Sequence, residues 1–132
     1  MELREPDFVD DALAEDIIDA AMIVHRTLGP GFLESVYEEA LCLEFVRQEI
    51  SFVRQKPISV NYFGQKVGEG KIDLVVGDSV IVELKAVESL LPIHKAQVIS
   101  YLKMSGCCLG LLINFNVPLL KDGLKRIVLT KR

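Results

Sequence analysis

Apolar residues recur at helical spacing in two segments at the start of the chain. Asp10 or Asp11 is the expected N-cap of the first helix. Gly29-Pro30-Gly31 should end that helix, because glycine accepts a left-handed cap and proline cannot continue the helical hydrogen bonds. A second helix should follow at once and run to about Arg47. Its apolar side comprises Leu33, Val36, Tyr37, Ala40, Leu41 and Phe45.

The apolar period then changes to two, which predicts β-strands. Three such strands, joined by short turns that contain glycine, predict an antiparallel meander. Their alternating positions are Ile58, Val60 and Tyr62; Ile72, Leu74 and Val76; and Val80, Val82 and Leu84. A third helix should begin near Pro92 and stop at Gly106, and residues 109–115 and 127–129 should form two more strands. The order ααβββαββ predicts an α/β fold with a mixed sheet flanked by helices, in one domain over residues 1–132 whose first nine residues form a loose segment.

Composition narrows the class of protein. The chain has 132 residues, of which 50% are hydrophobic, as expected for a single domain with a proper core. It has no run of about 18 apolar residues and no secretory pattern at its start, so the sequence predicts no membrane association and a cytoplasmic location. The three cysteines do not have the spacing of a zinc site, and their odd number argues against a disulfide framework. The net charge of −4 is unlike a simple DNA-binding module, although Lys121, Lys125, Arg126, Lys131 and Arg132 form a basic stretch near the end.

The candidate chemistry lies at the end of the third predicted strand. Glu83 and Lys85 are two residues apart and so point to one face, while Leu84 points into the core. Asp73 lies in the preceding strand, and two converging carboxylates would suit Mg²⁺. Glu69-Gly70-Lys71 has the same spacing, but its neighbouring glycines favour a turn without a common face.

The loop between these strands decides whether the carboxylates meet. A two-residue loop at Gly77-Asp78 would place Asp73 and Glu83 on opposite faces of the sheet. A three-residue loop, Gly77-Asp78-Ser79, would place them opposite one another. We predict the three-residue loop, with Val75 paired to Ile81 and Leu74 packed with Val82.

Glu34 is the candidate from the second helix. Gly31, Glu34 and Tyr37 stack along one side at intervals of three. An acidic residue is also favoured at a helix N-terminus by the helix dipole, and spacing alone does not separate the two interpretations. Glu34 borders the apolar stripe and would need a partner such as a cation, whereas Glu38 and Glu39 should face solvent.

In the third helix, Gln97 and Tyr101 are four residues apart and share a face, with His94 one turn earlier. A packed tyrosine beside a solvated glutamine is the simpler interpretation of this pair. His94 is expected at the surface rather than as a metal ligand.

Several of these segments together resemble a known family over roughly residues 12 to 130. Gly31-Phe32-Leu33-Glu34-Ser35-Val36-Tyr37 reproduces the Gly-x-x-Glu-x-x-Tyr motif of small bacterial and archaeal proteins assigned to the PD-(D/E)XK nuclease superfamily. Residues 91–94, Gln97 with Tyr101, and residues 112–118 are also similar. The resemblance implies a restriction-endonuclease-like core in the exonuclease-like branch, which has a Gln-x-x-x-Tyr helix motif.

The resemblance also implies residue roles. Asp73 would bridge the metal, Glu83 would be a second ligand, and the Leu84 carbonyl would complete the inner sphere. Lys85 would position the attacking water, and Glu34 matches the first-helix glutamate, a further ligand. Gln97, Tyr101 and Tyr37 would lie at the substrate. Ile72 stands where the superfamily motif has proline.

The leading hypothesis is a nuclease that uses Mg²⁺, with Mn²⁺ as a substitute, and cleaves DNA with low sequence specificity. Single-stranded and branched DNA are among the candidate substrates, and a homodimer is compatible with the sequence. One alternative is a catalytically silent nucleic-acid-binding or regulatory protein that retains the fold. Another is an interaction protein in which Lys85 pairs with Glu83 or Asp73 in a salt-bridge cluster.

Overall fold

The predicted order of elements is confirmed in the computed structural model, which describes residues 5–129. A short 3₁₀ helix before the last strand is the one element added to it. The elements are α1 (Phe8–Leu28), α2 (Glu34–Arg47), β1 (Phe52–Tyr62), β2 (Gln65–Val76), β3 (Val80–Lys85), α3 (Pro92–Ser105), β4 (Leu109–Asn114), the 3₁₀ helix (Leu120–Gly123) and β5 (Leu124–Val128). Within residues 5–129, none of the helices has both the length and the apolar character needed to cross a membrane.

Helix α1 begins earlier than predicted. Asp7 is the N-cap, and its side chain accepts a hydrogen bond from the Asp10 backbone N–H at 2.9 Å. The Asp7 N–H donates in return to the Asp10 carboxylate at 3.1 Å. This reciprocal pair satisfies two N–H groups at the helix terminus. The prediction of a cap at Asp10 or Asp11 is therefore wrong, and the expected loose segment does not extend to Phe8 and Val9.

The five strands form one mixed sheet in the order β1-β2-β3-β4-β5. All neighbours are antiparallel except β3 and β4, which are parallel and are connected through α3. Helices α1 and α2 pack on one face of the sheet, and α3 packs on the other. The predicted mixed sheet flanked by helices is confirmed.

The β1–β2 hairpin is longer than predicted. Its strands turn at Phe63-Gly64, and β2 runs through Glu69 and Lys71. The expectation of a turn at Glu69-Gly70-Lys71 is wrong, because Gly70 lies in the strand, where Tyr101 of α3 approaches it closely. A Cβ added to Gly70 would lie 3.0 Å from Tyr101 Cε1.

The hairpin also changes face halfway along. Leu74 and Val76 pack beneath α1 and α2, as their alternation predicts, but Ile72 packs beneath α3 together with Val75. The expectation that Ile72, Leu74 and Val76 share one face is therefore wrong for Ile72. The alternation breaks at Asp73, the residue between the two packing environments.

The end of the chain is partly paired. Strand β5 starts three residues before the predicted strand at 127–129. Arg126, one of the late basic residues, lies 2.6 Å from the Asp11 carboxylate. Lys131 and Arg132 lie outside the described residues.

Candidate active site

The register between β2 and β3 is the one predicted. Leu74 pairs with Val82, Val75 with Ile81 and Val76 with Val80, which leaves Gly77-Asp78-Ser79 as the loop. Asp78 adopts a left-handed φ of 57° there. Extended by one residue, the same register brings Asp73 opposite Glu83.

The regular ladder stops at that point, and the two acidic side chains take over its hydrogen bonds. The Asp73 N–H donates to Glu83 Oε1 at 2.9 Å, and the Leu84 N–H donates to Asp73 Oδ2 at 2.9 Å. Each carboxylate thus caps the backbone of the neighbouring strand. These bonds hold Asp73 and Glu83 together and fix their orientation before any ligand binds.

Glu83 is almost completely buried, with 3% of its surface exposed. Burial, and after it the negative charge of Asp73, raise the pKa of Glu83 from 4.5 to about 8, while Lys85 acts in the opposite direction. A carboxyl group with this pKa is largely protonated at neutral pH unless a cation compensates its charge. A bound cation would compensate the charges of Asp73 and ionised Glu83, so the electrostatics of this pair favour binding of a positive ion.

Glu34 is the first residue of α2 and lies at the exposed edge of the same acidic group. Partial burial raises its pKa, and Asp73 raises it further, while Lys85 lowers it. The charges of Asp73 and Lys85 therefore act on Glu34, although Glu34 lies on α2 and the other two residues lie on the sheet. No direct bond joins Glu34 to Asp73 or Glu83 among the contacts of residues 5–129.

Lys85 ends β3 and is half-buried. Its charge lowers the pKa of both Glu34 and Glu83. Within the described part of the chain, Lys85 forms no ion pair with either β-strand carboxylate. This geometry does not support the alternative in which Lys85 forms a salt bridge with Glu83 or Asp73. The Lys85 ammonium group can therefore contact a phosphate or a water.

Helix α3 contributes Gln97 and Tyr101 near the acidic pair Asp73 and Glu83. Gln97 Nε2 donates to the Tyr101 hydroxyl at 3.4 Å, so the predicted shared face is present. Burial raises the pKa of Tyr101, and the next largest cause is the charge of Glu83. His94 Nδ1 accepts a hydrogen bond from the Leu91 N–H at 3.0 Å, so it caps the helix.

Tyr37 occupies a different place from the one expected of a substrate-binding residue. Its side chain is fully buried and stacks on Phe115 at 4.6 Å. Its hydroxyl donates to the Gly29 carbonyl at 2.6 Å and accepts from the Phe32 N–H at 3.2 Å. In this structure Tyr37 secures the turn between α1 and α2, and thereby the position at which Glu34 begins its helix.

Three residues near the site escaped the sequence reasoning. Glu38 is only 9% exposed rather than solvated, and it accepts hydrogen bonds from Arg54 and Gln55 of β1. Gln55 also contacts Asp73. The signal for burial of Glu38 was its place one residue after Tyr37, next to the apolar side of α2, but nothing local indicated Gln55.

The donor set is consistent with Mg²⁺ bound in part by solvent. Among residues 5–129, no group of three His, Cys, Asp or Glu side chains is arranged to enclose a metal. Mg²⁺ usually retains several waters and is bound through one or two carboxylates together with substrate phosphates. Asp73 and Glu83, held edge to edge by backbone hydrogen bonds, meet that requirement.

A family model of the PD-(D/E)XK nuclease superfamily matches residues 11–127. No curated protein and no solved structure gives a significant match. The matched segment contains all the elements that position Asp73, Glu83 and Lys85. With nearly the whole domain covered, and a mixed sheet flanked by helices that fits the restriction-endonuclease-like fold, the chain belongs to the PD-(D/E)XK nuclease superfamily.

Proposed function

We propose that this protein is a Mg²⁺-dependent nuclease that hydrolyses phosphodiester bonds in DNA with low sequence specificity. Membership of the superfamily suggests nuclease activity. The observation that carries the finer proposal is the pair of reciprocal hydrogen bonds between the Asp73 and Glu83 segments, together with Lys85, whose ammonium group forms no ion pair within residues 5–129.

The proposed roles follow from position. Asp73 and Glu83 hold the metal with the Leu84 carbonyl, and Glu34 contributes from the exposed edge, directly or through water. The metal would supply Lewis-acid polarisation of the phosphate and a more acidic water. Lys85 orients the attacking water and stabilises negative charge that develops on the phosphate.

Helix α3 supplies the proposed contacts to the substrate. Gln97 and Tyr101, which are hydrogen-bonded to each other, would contact the sugar–phosphate backbone next to the metal. We assign the chain to the exonuclease-like branch in this proposal, and the Gly-x-x-Glu-x-x-Tyr and Gln-x-x-x-Tyr motifs support that assignment. We expect weak sequence preference, because the proposed contacts of Gln97 and Tyr101 go to the sugar–phosphate backbone rather than to the bases.

Metal-dependent cleavage tests the proposal directly. Purified protein is incubated with Mg²⁺ or Mn²⁺ and labelled single-stranded, duplex, flapped and branched DNA, with Asp73→Asn as the matched control. Wild-type protein should cleave at least one substrate and the variant none. Cleavage by the variant at the wild-type level would assign the activity to a contaminant or to another site.

Metal binding has an independent test in thermal unfolding. An ion that binds only the folded state at a hundredfold excess over its dissociation constant stabilises by about 2.7 kcal/mol. We expect millimolar Mg²⁺ or Mn²⁺ to raise the Tm of the wild type and to leave the Tm of Asp73→Asn unchanged. An unchanged wild-type Tm would refute the metal site.

A catalytically silent nucleic-acid-binding or regulatory protein is the second candidate. The observation that favours loss of turnover is that, among residues 5–129, no group of three His, Cys, Asp or Glu side chains is arranged to hold a metal. DNA binding without cleavage in the same substrate panel would support it. A homodimer and a cytoplasmic location also remain predictions, which size-exclusion chromatography with light scattering and cell fractionation would test.

A further inference from the structure

The β1–β2 hairpin is bent where it passes the acidic pair. The ladder pairs Arg54 with Leu74 and Lys56 with Ile72, and it skips Gln55 and Asp73 between them. Gln55 has a left-handed φ of 48°, which a residue with a Cβ adopts only at a cost. The hairpin changes face at the same level, since Leu74 packs beneath α1 and α2 whereas Ile72 packs beneath α3.

The bend directs the Gln55 side chain to two carboxylates. Its Nε2 donates to Glu38 Oε1 at 2.8 Å and to Asp73 Oδ1 at 3.3 Å. Ionised carboxylates only accept hydrogen bonds, so the amide nitrogen, and not the amide oxygen, must face them. Both N–H groups of the amide are thereby used.

Glu38 anchors this amide to the protein. Its second oxygen accepts a hydrogen bond from Arg54 Nη2 at 2.9 Å, and the Nη1 of the same guanidinium lies 3.0 Å from Glu39. Glu38 is buried, and the guanidinium compensates its charge. The chain of contacts therefore runs from Arg54 through Glu38 and Gln55 to Asp73.

Asp73 is consequently held at both oxygens. Leu84 N–H donates to Oδ2 from one side, and Gln55 donates to Oδ1 from the other. Two donors on opposite oxygens fix the rotation of the carboxylate about its χ angles. Each of the two oxygens keeps a lone pair with which it can bind a cation.

We propose that Gln55 is a positioning residue, which presents Asp73 to the metal and keeps a strained backbone conformation for that purpose. This inference rests on the proposed function, because it takes Asp73 to be a ligand of the metal ion. Strained residues persist where the surrounding structure determines them, and they concentrate at functional sites. Partners that orient a metal ligand commonly contribute about 10- to 100-fold to metal affinity.

The test separates the amide from the backbone strain. Gln55→Gly removes the amide and suits the left-handed backbone, whereas Gln55→Ala removes the amide and keeps the strain. Gln48→Ala is the matched control, because Gln48 also donates to a glutamate, Glu44, at 2.6 Å, but at the end of α2. The readouts are Mn²⁺ affinity by calorimetry and hydrogen exchange of the Leu84 amide by NMR in metal-free protein.

Both Gln55 variants should bind Mn²⁺ about 10- to 100-fold more weakly than wild type. Their Leu84 amide should exchange about tenfold faster, because an Asp73 carboxylate free to rotate no longer accepts from it continuously. Gln48→Ala should change neither quantity. Gln55→Gly should also be more stable to heat than Gln55→Ala. An equal loss of Mn²⁺ affinity in the two variants would therefore not be caused by unfolding.

Two results would overturn the inference. One is an unchanged Mn²⁺ affinity in Gln55→Gly when the wild type binds the ion. The other is unchanged exchange of the Leu84 amide in both variants. A wild type that binds no Mn²⁺, combined with faster Leu84 exchange in the variants, would instead refute the metal-dependent function and support the positioning of Asp73.

Discussion

Glu83→Gln in metal-free protein should remove a pH-dependent loss of stability. The substitution keeps the size of the side chain and an oxygen that can accept from the Asp73 N–H, which donates at 2.9 Å. It removes a carboxyl group that is 3% exposed and adjacent to another carboxylate. The variant therefore isolates the free-energy cost of ionising Glu83 in the folded state.

The direction of this pH dependence follows from the raised pKa of Glu83. Glu83 titrates near 4.5 when unfolded and at about 8 when folded. Between these values the folded state binds more protons than the unfolded state, so the free energy of unfolding decreases as pH rises. The contribution is fully present below pH 4.5 and is lost as pH reaches about 8. The slope is about 1.4 kcal/mol per pH unit, and the total is at most about 5 kcal/mol.

Urea unfolding with EDTA at pH 5 and pH 8.5 measures this quantity. Wild type and Glu83→Gln should have similar free energies of unfolding at pH 5, and the variant should be more stable by several kcal/mol at pH 8.5. Glu69→Gln is the control, since Glu69 is exposed on β2 and pairs with Lys66 at 3.7 Å. A surface pair of that kind contributes about 1 kcal/mol or less.

An equal difference between wild type and Glu83→Gln at the two pH values would refute the electrostatic reasoning. Mg²⁺ provides a second check on it. In the proposed site the ion binds ionised Glu83, so its affinity should rise up to tenfold per pH unit until about pH 8, and saturating Mg²⁺ should reduce the pH-dependent loss of stability in wild type. A Mg²⁺ affinity independent of pH between 5.5 and 7.5 would exclude Glu83 from the metal site.

Three further outcomes follow from the structure. Lys85→Ala should abolish cleavage while keeping the Mg²⁺-induced rise in Tm, because lysine is not a ligand; loss of that rise would show a role in binding the ion. Tyr37→Phe should lower the free energy of unfolding by about 0.5–1.5 kcal/mol, because it removes both hydrogen bonds made by the hydroxyl of a fully buried side chain; an unchanged urea midpoint would contradict this. Gly77→Ala should destabilise, since its φ is 56° and a Cβ would lie 2.7 Å from Leu13 Cδ1; wild-type Tm would show that α1 yields easily.

Local patterns in the sequence determined the order of the elements. The turn residues at positions 77–79 allowed two registers, and the requirement that two carboxylates converge selected the one that the structure shows, in which Leu74 pairs with Val82. The acid-x-Lys spacing then placed Glu83 and Lys85 together. These features depend on residues a few positions apart or on the strand directly following.

The environment of Asp73 was decided by the tertiary structure. Glu38 becomes buried because α2 packs against β1, where Arg54 compensates its charge. No local sequence pattern predicts this contact between α2 and β1. The left-handed Gln55 and the changed face of Ile72 arise because the hairpin must satisfy two helical layers at once. Alternation assumes a regular strand, and it fails at the one point where these packing demands bend the strand toward the acidic pair.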